Sequence, residues 1–238
     1  LKEETVFIIV PVYNENAEVL FEVISAFPHY HIILVDDGSD IPIVNSLRDF
    51  QIPKNVHFAW HHSNFGQGIA IKTGVDMAIS LGGTVFCTMD GDGQHDKQSC
   101  NDIISSYLNN DVDIILGSRF LKNGSKVPFI KKIFLKGGIL VNFLYSGIWL
   151  HDAHCGLRVF GIPFAKKLKF FNGREAHASE ILWMIKKYGF SYAEFPVKVI
   201  YSKYSVKKGQ SVFNSFNIII DLIKHRFSLL TKSKKRRY

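Results

Sequence analysis

The stretch Thr84-Val85-Phe86-Cys87-Thr88-Met89-Asp90-Gly91-Asp92-Gly93-Gln94-His95 decides how the rest of the chain reads. Its apolar run, preceded by Gly82-Gly83, predicts a short buried strand. It ends in two aspartates one residue apart, with a glycine after each. Successive strand residues face opposite sides, so Asp90 and Asp92 would share a face if the strand geometry continued. The glycines release the backbone there, and both carboxylates can approach one small, highly charged object. Hard oxygen ligands at this spacing suit Mg²⁺ or Mn²⁺ holding a diphosphate. An acidic turn capping the next helix has the same pattern. The neighbouring segments have to choose between the two.

Before this stretch, strands and helices alternate. Val6–Pro11 reads as a strand that breaks at a proline, and Asn16–Phe27 has helical spacing with Val19, Leu20, Val23, Ile24 and Phe27 on one side. His31–Val35 is a second strand and ends in Asp36-Asp37-Gly38-Ser39-Asp40. A short helix near Ile43–Phe50 leads to a strand at Val56–Trp60, and Asn64-Phe65-Gly66-Gln67-Gly68 opens a helix to about Ser80. After the central strand come a helix at Lys97–Asn109 and a strand at Asp113–Gly117. This order predicts an α/β fold, a mainly parallel sheet with helices on both faces. Ligands of such sheets sit beyond the carboxyl ends of the strands, where all these motifs lie.

The second half differs. Phe129–Leu150 is rich in Phe, Ile, Leu and Trp, yet its longest uncharged run, Gly137–Leu150, is shorter than the ~20 apolar residues that span a bilayer. It reads as a buried helix or as one lying in the membrane interface. A short segment at Leu157–Phe160, a helix at Pro163–Phe170, a helix at Ile181–Tyr188 and a strand at Tyr192–Ile200 follow. Ser211–Leu230 reads as one amphipathic helix. The expected division is one domain over 1–210 in two halves, 1–120 and 121–210, the helix at 211–231 and a basic tail at 232–238.

Composition narrows the class. The 238 residues are 47% apolar, ordinary for one large globular domain. Three widely spaced cysteines, Cys87, Cys100 and Cys155, with no CxxC pair, argue against a disulfide framework or a zinc site and point to a reducing, cytoplasmic compartment. The opening Lys2-Glu3-Glu4 does not read as a secretory leader. The net charge of +8 collects in Lys122–Lys136, Lys166–Lys169, Lys203–Lys208 and the tail Lys232-Ser233-Lys234-Lys235-Arg236-Arg237. Such charge is either a solvated surface or a contact with an anionic membrane. No aromatic-basic module accompanies it, so nucleic acid is not the expected partner.

On the predicted rim, the Asp36-Asp37 turn becomes a candidate for ribose or base recognition, because a carboxylate accepts hydrogen bonds from a sugar diol. Pro11-Val12-Tyr13-Asn14-Glu15 shares that rim. Tyr13 can pack on a base, and Glu15 can accept from its edge or cap the next helix. Asn64-x-Gly66-x-Gly68 precedes a helix N-terminus, which favours an anion, but lacks the full dinucleotide fingerprint.

Together, Val10-Pro11-Val12-Tyr13-Asn14-Glu15, Val35-Asp36-Asp37-Gly38-Ser39, Asn64-Phe65-Gly66 and Asp90-Gly91-Asp92-Gly93-Gln94-His95 resemble glycosyltransferase family 2 enzymes of the GT-A fold in order and spacing. Gly117-Ser118-Arg119-Phe120, Asp152-Ala153-His154-Cys155-Gly156-Leu157-Arg158-Val159-Phe160 and Glu194-Phe195-Pro196-Val197 are similar to the polyprenyl-phosphate monosaccharide synthase branch, of which dolichyl-phosphate mannose synthases are the best-known members. Tyr201–Ser211, with Lys208-Gly209-Gln210-Ser211, is similar to a loop of that branch that closes over the diphosphate. Two features depart from relatives: the Gln-x-x-Arg-Trp motif of processive members is absent, and so are the transmembrane helices of many polyprenyl-phosphate synthases.

The resemblance implies roles by position. Pro11, Tyr13, Glu15, Asp37, Asn64, Gly66, Asp90 and Gly91 would bind the donor nucleotide, with Asp90 also near ribose or the donor sugar. Asp92 and Gln94 would hold Mg²⁺ or Mn²⁺. Arg119 would meet the acceptor phosphate, with Arg158, Lys208 and Ser211 on the acceptor or diphosphate. The catalytic set is then Asp90, Asp92, Arg119, Asp152 and Glu180. A polyprenyl phosphate needs no general base, whereas a sugar hydroxyl of a lipid-linked saccharide needs a carboxylate, Asp152 or Glu180. Glu180 follows Ser179 at an expected helix start and equally suits a cap. The implied protein is an inverting transferase held peripherally at the cytoplasmic membrane, by an interfacial segment or a small integral-membrane partner. A sugar nucleotidyltransferase would want a Gly-rich loop with Arg and Lys where Pro11–Glu15 stands. A non-catalytic nucleotide-sugar-binding subunit is the remaining alternative, and intact Asp90, Asp92, Gln94 and Arg119 argue against it.

Overall fold

The central strand is β4, Val85–Thr88, in a seven-stranded sheet of order β3-β2-β1-β4-β6-β5-β7. The structure is a computed structural model and describes residues 4–121, 139, 142–170 and 176–200. The strands are β1 Val6–Val12, β2 His31–Asp36, β3 Val56–Trp60, β5 Ile114–Ser118, β6 Arg158–Gly161 and β7 Tyr192–Pro196. The helices are α1 Ala17–Ser25, α2 Ile43–Ser46, α3 Gln67–Ser80, α4 Lys97–Leu108, α5 Ile162–Ala165 and α6 His177–Tyr188.

Every pairing is parallel except those of β6, which runs antiparallel to β4 and β5. This agrees with the expected mainly parallel sheet. The reversal matters for the site. It brings the first residue of β6, Arg158, opposite Thr88 and Leu116, near the carboxyl ends of β4 and β5.

Strand alternation sorts the apolar side chains into two layers. Ile8, Val10, Ile32, Leu34 and Cys87 pack with Leu20 and Ile24 of α1 and with Ile103 and Ile104 of α4. On the other face, Phe7, Ile9, Val35, Phe86 and Phe160 pack with α3 and with Ile181, Leu182 and Ile185 of α6. Each such side chain, fully buried, stabilises the fold by about 1.5–3 kcal/mol relative to exposure. The chain leaves β1 for β2 on one side, while β4 flanks β1 on the other. The crevice at this switch in strand order is where open α/β sheets hold ligands.

Several ends differ from expectation. The helix expected at Pro163–Phe170 is only α5, while α6 starts at His177, four residues before its expected start. β7 stops at Pro196, and Val197 N–H still donates to Ser118 C=O at 3.0 Å. The chain then crosses to the turn after β4: Val199 bridges His95, and Ile200 N–H donates to Gln94 C=O at 2.8 Å. Tertiary pairing, not propensity, set that boundary. Of Phe129–Leu150, residues 142–146 are helical, and the rest up to 141, apart from 139, lies outside the described residues, as does the helix expected at 211–231. Among the described residues no helix is long and apolar enough to cross a membrane.

Candidate active site

Three loops follow β1, β2 and β3 and lock together. Asn14, in the left-handed region at φ 49°, donates through its side chain to Asp40 at 3.0 Å, and its backbone N–H donates to Ser39 Oγ at 2.9 Å. Asp40 N–H returns a bond to Asn14 Oδ1 at 2.9 Å. These bonds pin Pro11–Glu15 to Asp36–Asp40, with Tyr13 left 43% exposed on the rim. The cap of α1 is Asn16, whose side chain accepts from Val19 N–H, so that role does not fall to Glu15. Asp36 is structural: its carboxylate accepts from Ser39 and Ile43 N–H, both at 2.9 Å.

Asp37 ties the second loop to the third. Its buried carboxylate accepts from Phe65 N–H at 3.0 Å, Gly66 N–H at 2.7 Å and His61 Nδ1 at 2.7 Å. The anion at the start of α3 is therefore the protein's own Asp37, a correction to the expectation of an external one there. Three bonds use most of a carboxylate's acceptor capacity and leave about one lone-pair site for a ligand. His61, which also touches Thr73 Oγ1 at 2.9 Å, carried no sequence signal as the orienting group. Gly38 is required here: at φ +75°, a Cβ would sit 2.6 Å from Ser63 Cα and 2.7 Å from Asn64 N.

Beyond β4 the chain turns. Asp90 and Asp92 are brought together by this turn and not by a continued strand, which ends at Thr88. Gln67 Nε2 donates to Asp90 Oδ1 at 2.7 Å, and His95 Nε2 lies 3.2 Å from Oδ2. Burial alone would raise the Asp90 carboxyl. The bonds and charge of His95, the Gln67 bond and the nearby Arg158 cation outweigh it and hold the group well below the usual carboxylate range. Asp92 is shifted upward, by burial first and then by the Asp90 charge. It accepts from Gln94 N–H at 3.0 Å and from the Gln94 side-chain amide. The two carboxylates thus differ: Asp90 is a clamped anion, whereas Asp92 is a strained charge that a cation would relieve.

The acceptor side centres on an ion pair. Arg119 Nε and Nη2 meet Asp152 Oδ2 and Oδ1 at 2.5 and 2.7 Å. Asp152 also accepts from the backbone N–H of Arg119 and of His154, both at 3.1 Å. That makes four hydrogen bonds, the full acceptor capacity of a carboxylate. Burial would raise Asp152, but the Arg119 bonds and charge hold it below its ordinary value. These bonds occupy the oxygens that Asp152 would use as a general base toward a hydroxyl acceptor. Glu194 of β7 fixes the turn from below, accepting from His151 N–H at 3.0 and 3.1 Å and from Asp152 N–H at 3.3 Å. Glu180 is 1% exposed in the first turn of α6, whose N-cap is Ala176, so it is not a cap. Lys208 and Ser211 lie outside the described residues.

With this geometry in view, the comparisons decide the family. A model of glycosyl transferase family 2 matches residues 7–168. The chain belongs to glycosyl transferase family 2. It is 30% identical to the UDP-N-acetylglucosamine–dolichyl-phosphate N-acetylglucosaminyltransferase of Methanococcus voltae, over 94% of this chain and 96% of that one. It is 26% identical to the polyprenol monophosphomannose synthase of Mycolicibacterium smegmatis, over 84% and 79%. Glucosyl-3-phosphoglycerate synthase of Mycobacterium tuberculosis, solved with Mn²⁺, UDP and phosphoglyceric acid, superimposes with a TM-score of 0.70. At 12% identity, covering 94% of this chain and 78% of that one, it shares the GT-A fold.

In this family 2 enzyme the donor set around Asp92 fits a hard divalent cation. Among the described residues no cluster of three or more His, Cys, Asp or Glu groups could hold a metal alone. Mg²⁺-type sites bound through one or two protein oxygens plus substrate phosphates need no such cluster. Asp92 and the Gln94 side-chain oxygen supply that minimum.

Gly156 was quoted only within a motif, yet it decides where Asp90 sits. A Cβ there would lie 2.6 Å from Asp90 Cγ, while Gly156 C=O accepts from Thr88 Oγ1 at 2.8 Å. Gly156→Ala is expected to displace Asp90 and lower transfer by at least ~10-fold, since misplacement of about 1 Å costs that order or more. Donor-site titration beside a melting curve checks it; an unimpaired enzyme would place Asp90 away from Gly156.

His154 provides a stability test. Burial holds this imidazole neutral, with its pKa lowered to about 4 despite nearby Asp152, and Asn142 Nδ2 lies 3.1 Å from Nε2. The unfolded chain takes its proton near pH 6.5, so this contribution is complete above that value and lost as pH falls toward about 4. The expected slope is about 1 kcal/mol per pH unit in that window. Denaturant titrations of wild type and His154→Asn, with the slope missing in the variant, measure it; equal slopes would refute it.

Proposed function

We propose that this family 2 enzyme transfers a sugar from a nucleotide diphosphate donor to a polyprenyl phosphate, with inversion at the anomeric carbon, at a membrane surface. The observation that carries the acceptor class is the saturated Asp152–Arg119 pair. A hydroxyl acceptor needs a carboxylate base, and of the two candidates Asp152 is fully engaged and Glu180 is 1% exposed. A phosphate monoester is already anionic near neutral pH and attacks without one. The names of the two relatives support the same acceptor class.

The residues divide the work. Tyr13, Glu15 and Asp37 hold the nucleoside on the interlocked loops, while Asp90 faces the ribose or donor sugar from its clamped position. Asp92 and Gln94 would hold Mg²⁺ or Mn²⁺, which would supply neutralising charge to a diphosphate leaving group. Arg119, oriented by Asp152, faces the acceptor phosphate as a fixed cation. The phosphate oxygen then approaches the anomeric carbon on the face opposite the leaving group. A panel of nucleotide sugars offered with a short polyprenyl phosphate and Mn²⁺, read by product mass, tests this. A product glycosylated at a hydroxyl, or no turnover of any donor, would overturn it.

Membrane attachment is part of the reading. Each basic residue near an anionic surface contributes about 1 kcal/mol, so deleting 232–238 is expected to weaken liposome binding more at low salt than at high salt. Binding unchanged at every ionic strength would leave the tail as solvated charge. A small integral-membrane partner docking near Phe129–Leu150 or Phe213–Leu230 would complete the attachment, and extraction from native membranes as a lone species without detergent would count against it.

A further inference from the structure

At the amino ends of the strands, the pole of the sheet away from the rim, two histidines share one face. His31 opens β2 opposite Phe7, and His57 of β3 stands opposite Ile33. His31 and Ile33 are two residues apart, so both imidazoles project from the side that Phe7 and Ile33 line, as diagonal neighbours. Their ring centroids lie 5.7 Å apart. Phe7 backs the pair, stacked on His31 at 4.8 Å and tilted to His57 at 6.2 Å.

These two rings differ from the histidines nearer the rim. His61, His95, His151 and His154 each meet a polar side chain. Among the described residues no hydrogen bond reaches the ring of His31 or of His57, and His57 Nε2 is enclosed without a partner. Enclosed polar atoms are normally satisfied, so an orphan ring nitrogen beside a second open imidazole calls for a partner that both can share. Burial first, and then the nearby His31, lower the His57 pKa, so its lone pair is open near neutral pH. Two neutral imidazoles side by side are what a transition-metal ion requires.

We propose that His31 and His57 bind one imidazole-seeking divalent ion, Zn²⁺, Ni²⁺ or Cu²⁺, as a clip between β2 and the edge strand β3. Imidazole suits these ions, whereas Mg²⁺ and Mn²⁺ favour oxygen ligands such as those at Asp92. Zn–N distances of about 2.0–2.1 Å put two rings on a tetrahedral ion with centroids roughly 5 Å apart. A modest turn of the exposed His31 ring closes the difference from 5.7 Å. Among the described residues no third His, Cys, Asp or Glu joins the pair, so water completes the shell. β3 runs on into His61, which holds Asp37 at 2.7 Å, so the clip steadies the strand behind that contact. The proposal does not depend on the transfer reading.

The test uses the full chain without a purification tag, stripped with chelator and kept in excess Mg²⁺ so that oxygen-rich sites are filled. Zn²⁺ binding is measured by calorimetry and by melting on the same samples. Wild type is expected to bind Zn²⁺ at this site and to melt higher with it, since an ion held only by the folded state stabilises it. His31→Gln and His57→Gln should each weaken that binding by at least about 10-fold, because even an outer-shell partner is commonly worth 10–100-fold in metal affinity. Both should also lose the melting shift. Asp92→Asn, which lacks the carboxylate of the other cation site, should keep the binding and the shift. His31 is exposed, so His31→Gln carries the test should His57→Gln fail to fold. A wild type that takes up no Zn²⁺, or unchanged Zn²⁺ affinity in either folded histidine variant, overturns the proposal and leaves the three rings as aromatic packing.

Discussion

Asp92→Asn is expected to lower metal-dependent transfer by about 10²–10³ while the fold melts as before. Loss of one electrostatic contact to charge developing on the leaving group is typically that large. The substitution keeps volume and keeps an oxygen for Gln94 N–H, which now meets Asp92 Oδ1 at 3.0 Å. It removes only the negative charge, which the fold already strains by burial and by the neighbouring Asp90. Stability should therefore hold or rise slightly, and the entire loss should appear in turnover. A Mn²⁺ titration of initial rates, beside a melting curve, separates the two effects. Near wild-type turnover at saturating metal would sink the assignment of Asp92 to the cation.

Arg119→Ala is expected to abolish acceptor use and, unlike Asp92→Asn, to weaken the fold. It strips the guanidinium from Asp152, which is 3% exposed, and breaking a buried pair by removing one partner costs about 3–5 kcal/mol. That is a large share of the 5–15 kcal/mol that stabilises a typical domain. The pH dependence carries a sign. In wild type the Asp152 carboxyl is held below its ordinary value, so its contribution is present above about pH 4 and lost as pH falls through the folded pKa. Without Arg119, burial is left to dominate, the carboxyl rises, and the variant should gain stability on acidification where wild type loses it. Pairing Arg119→Ala with Asp152→Asn should restore much of the stability and none of the transfer. Donor binding should survive in both. A tolerant Arg119→Ala together with a large loss in Asp152→Asn or Glu180→Gln would move the chemistry to a hydroxyl acceptor with a carboxylate base.

Much of the fold was legible because its signals are local. The run before Asp90, the apolar runs at Val6–Pro11 and His31–Val35, and the helical spacing of Val19, Leu20 and Val23 each report burial by period alone. Element ends were less legible. β7 ends at Pro196, and the departure of the chain toward His95 depends on a pairing more than a hundred residues distant in sequence. The start of α6 at His177 likewise follows from packing and not from a capping side chain.

The sequence by itself determined the family, the parallel core and the rim on which Tyr13, Asp37, Asp90, Asp92 and Arg119 gather. Short motifs tied to strand ends carry that information, since the carboxyl edge of a parallel sheet is one place in space. Only the tertiary structure decided what each charge is doing. It turned Asp37 toward the start of α3, saturated Asp152 with Arg119, clamped Asp90 between Gln67 and His95 over Gly156, and left Arg158 Nη1 buried without a hydrogen-bond partner among the described residues. Whether a carboxylate is a base, a strut or a ligand depends on which donors reach its oxygens and how much water remains. Those donors come from strands and loops far apart in the chain, so no local spacing could report them.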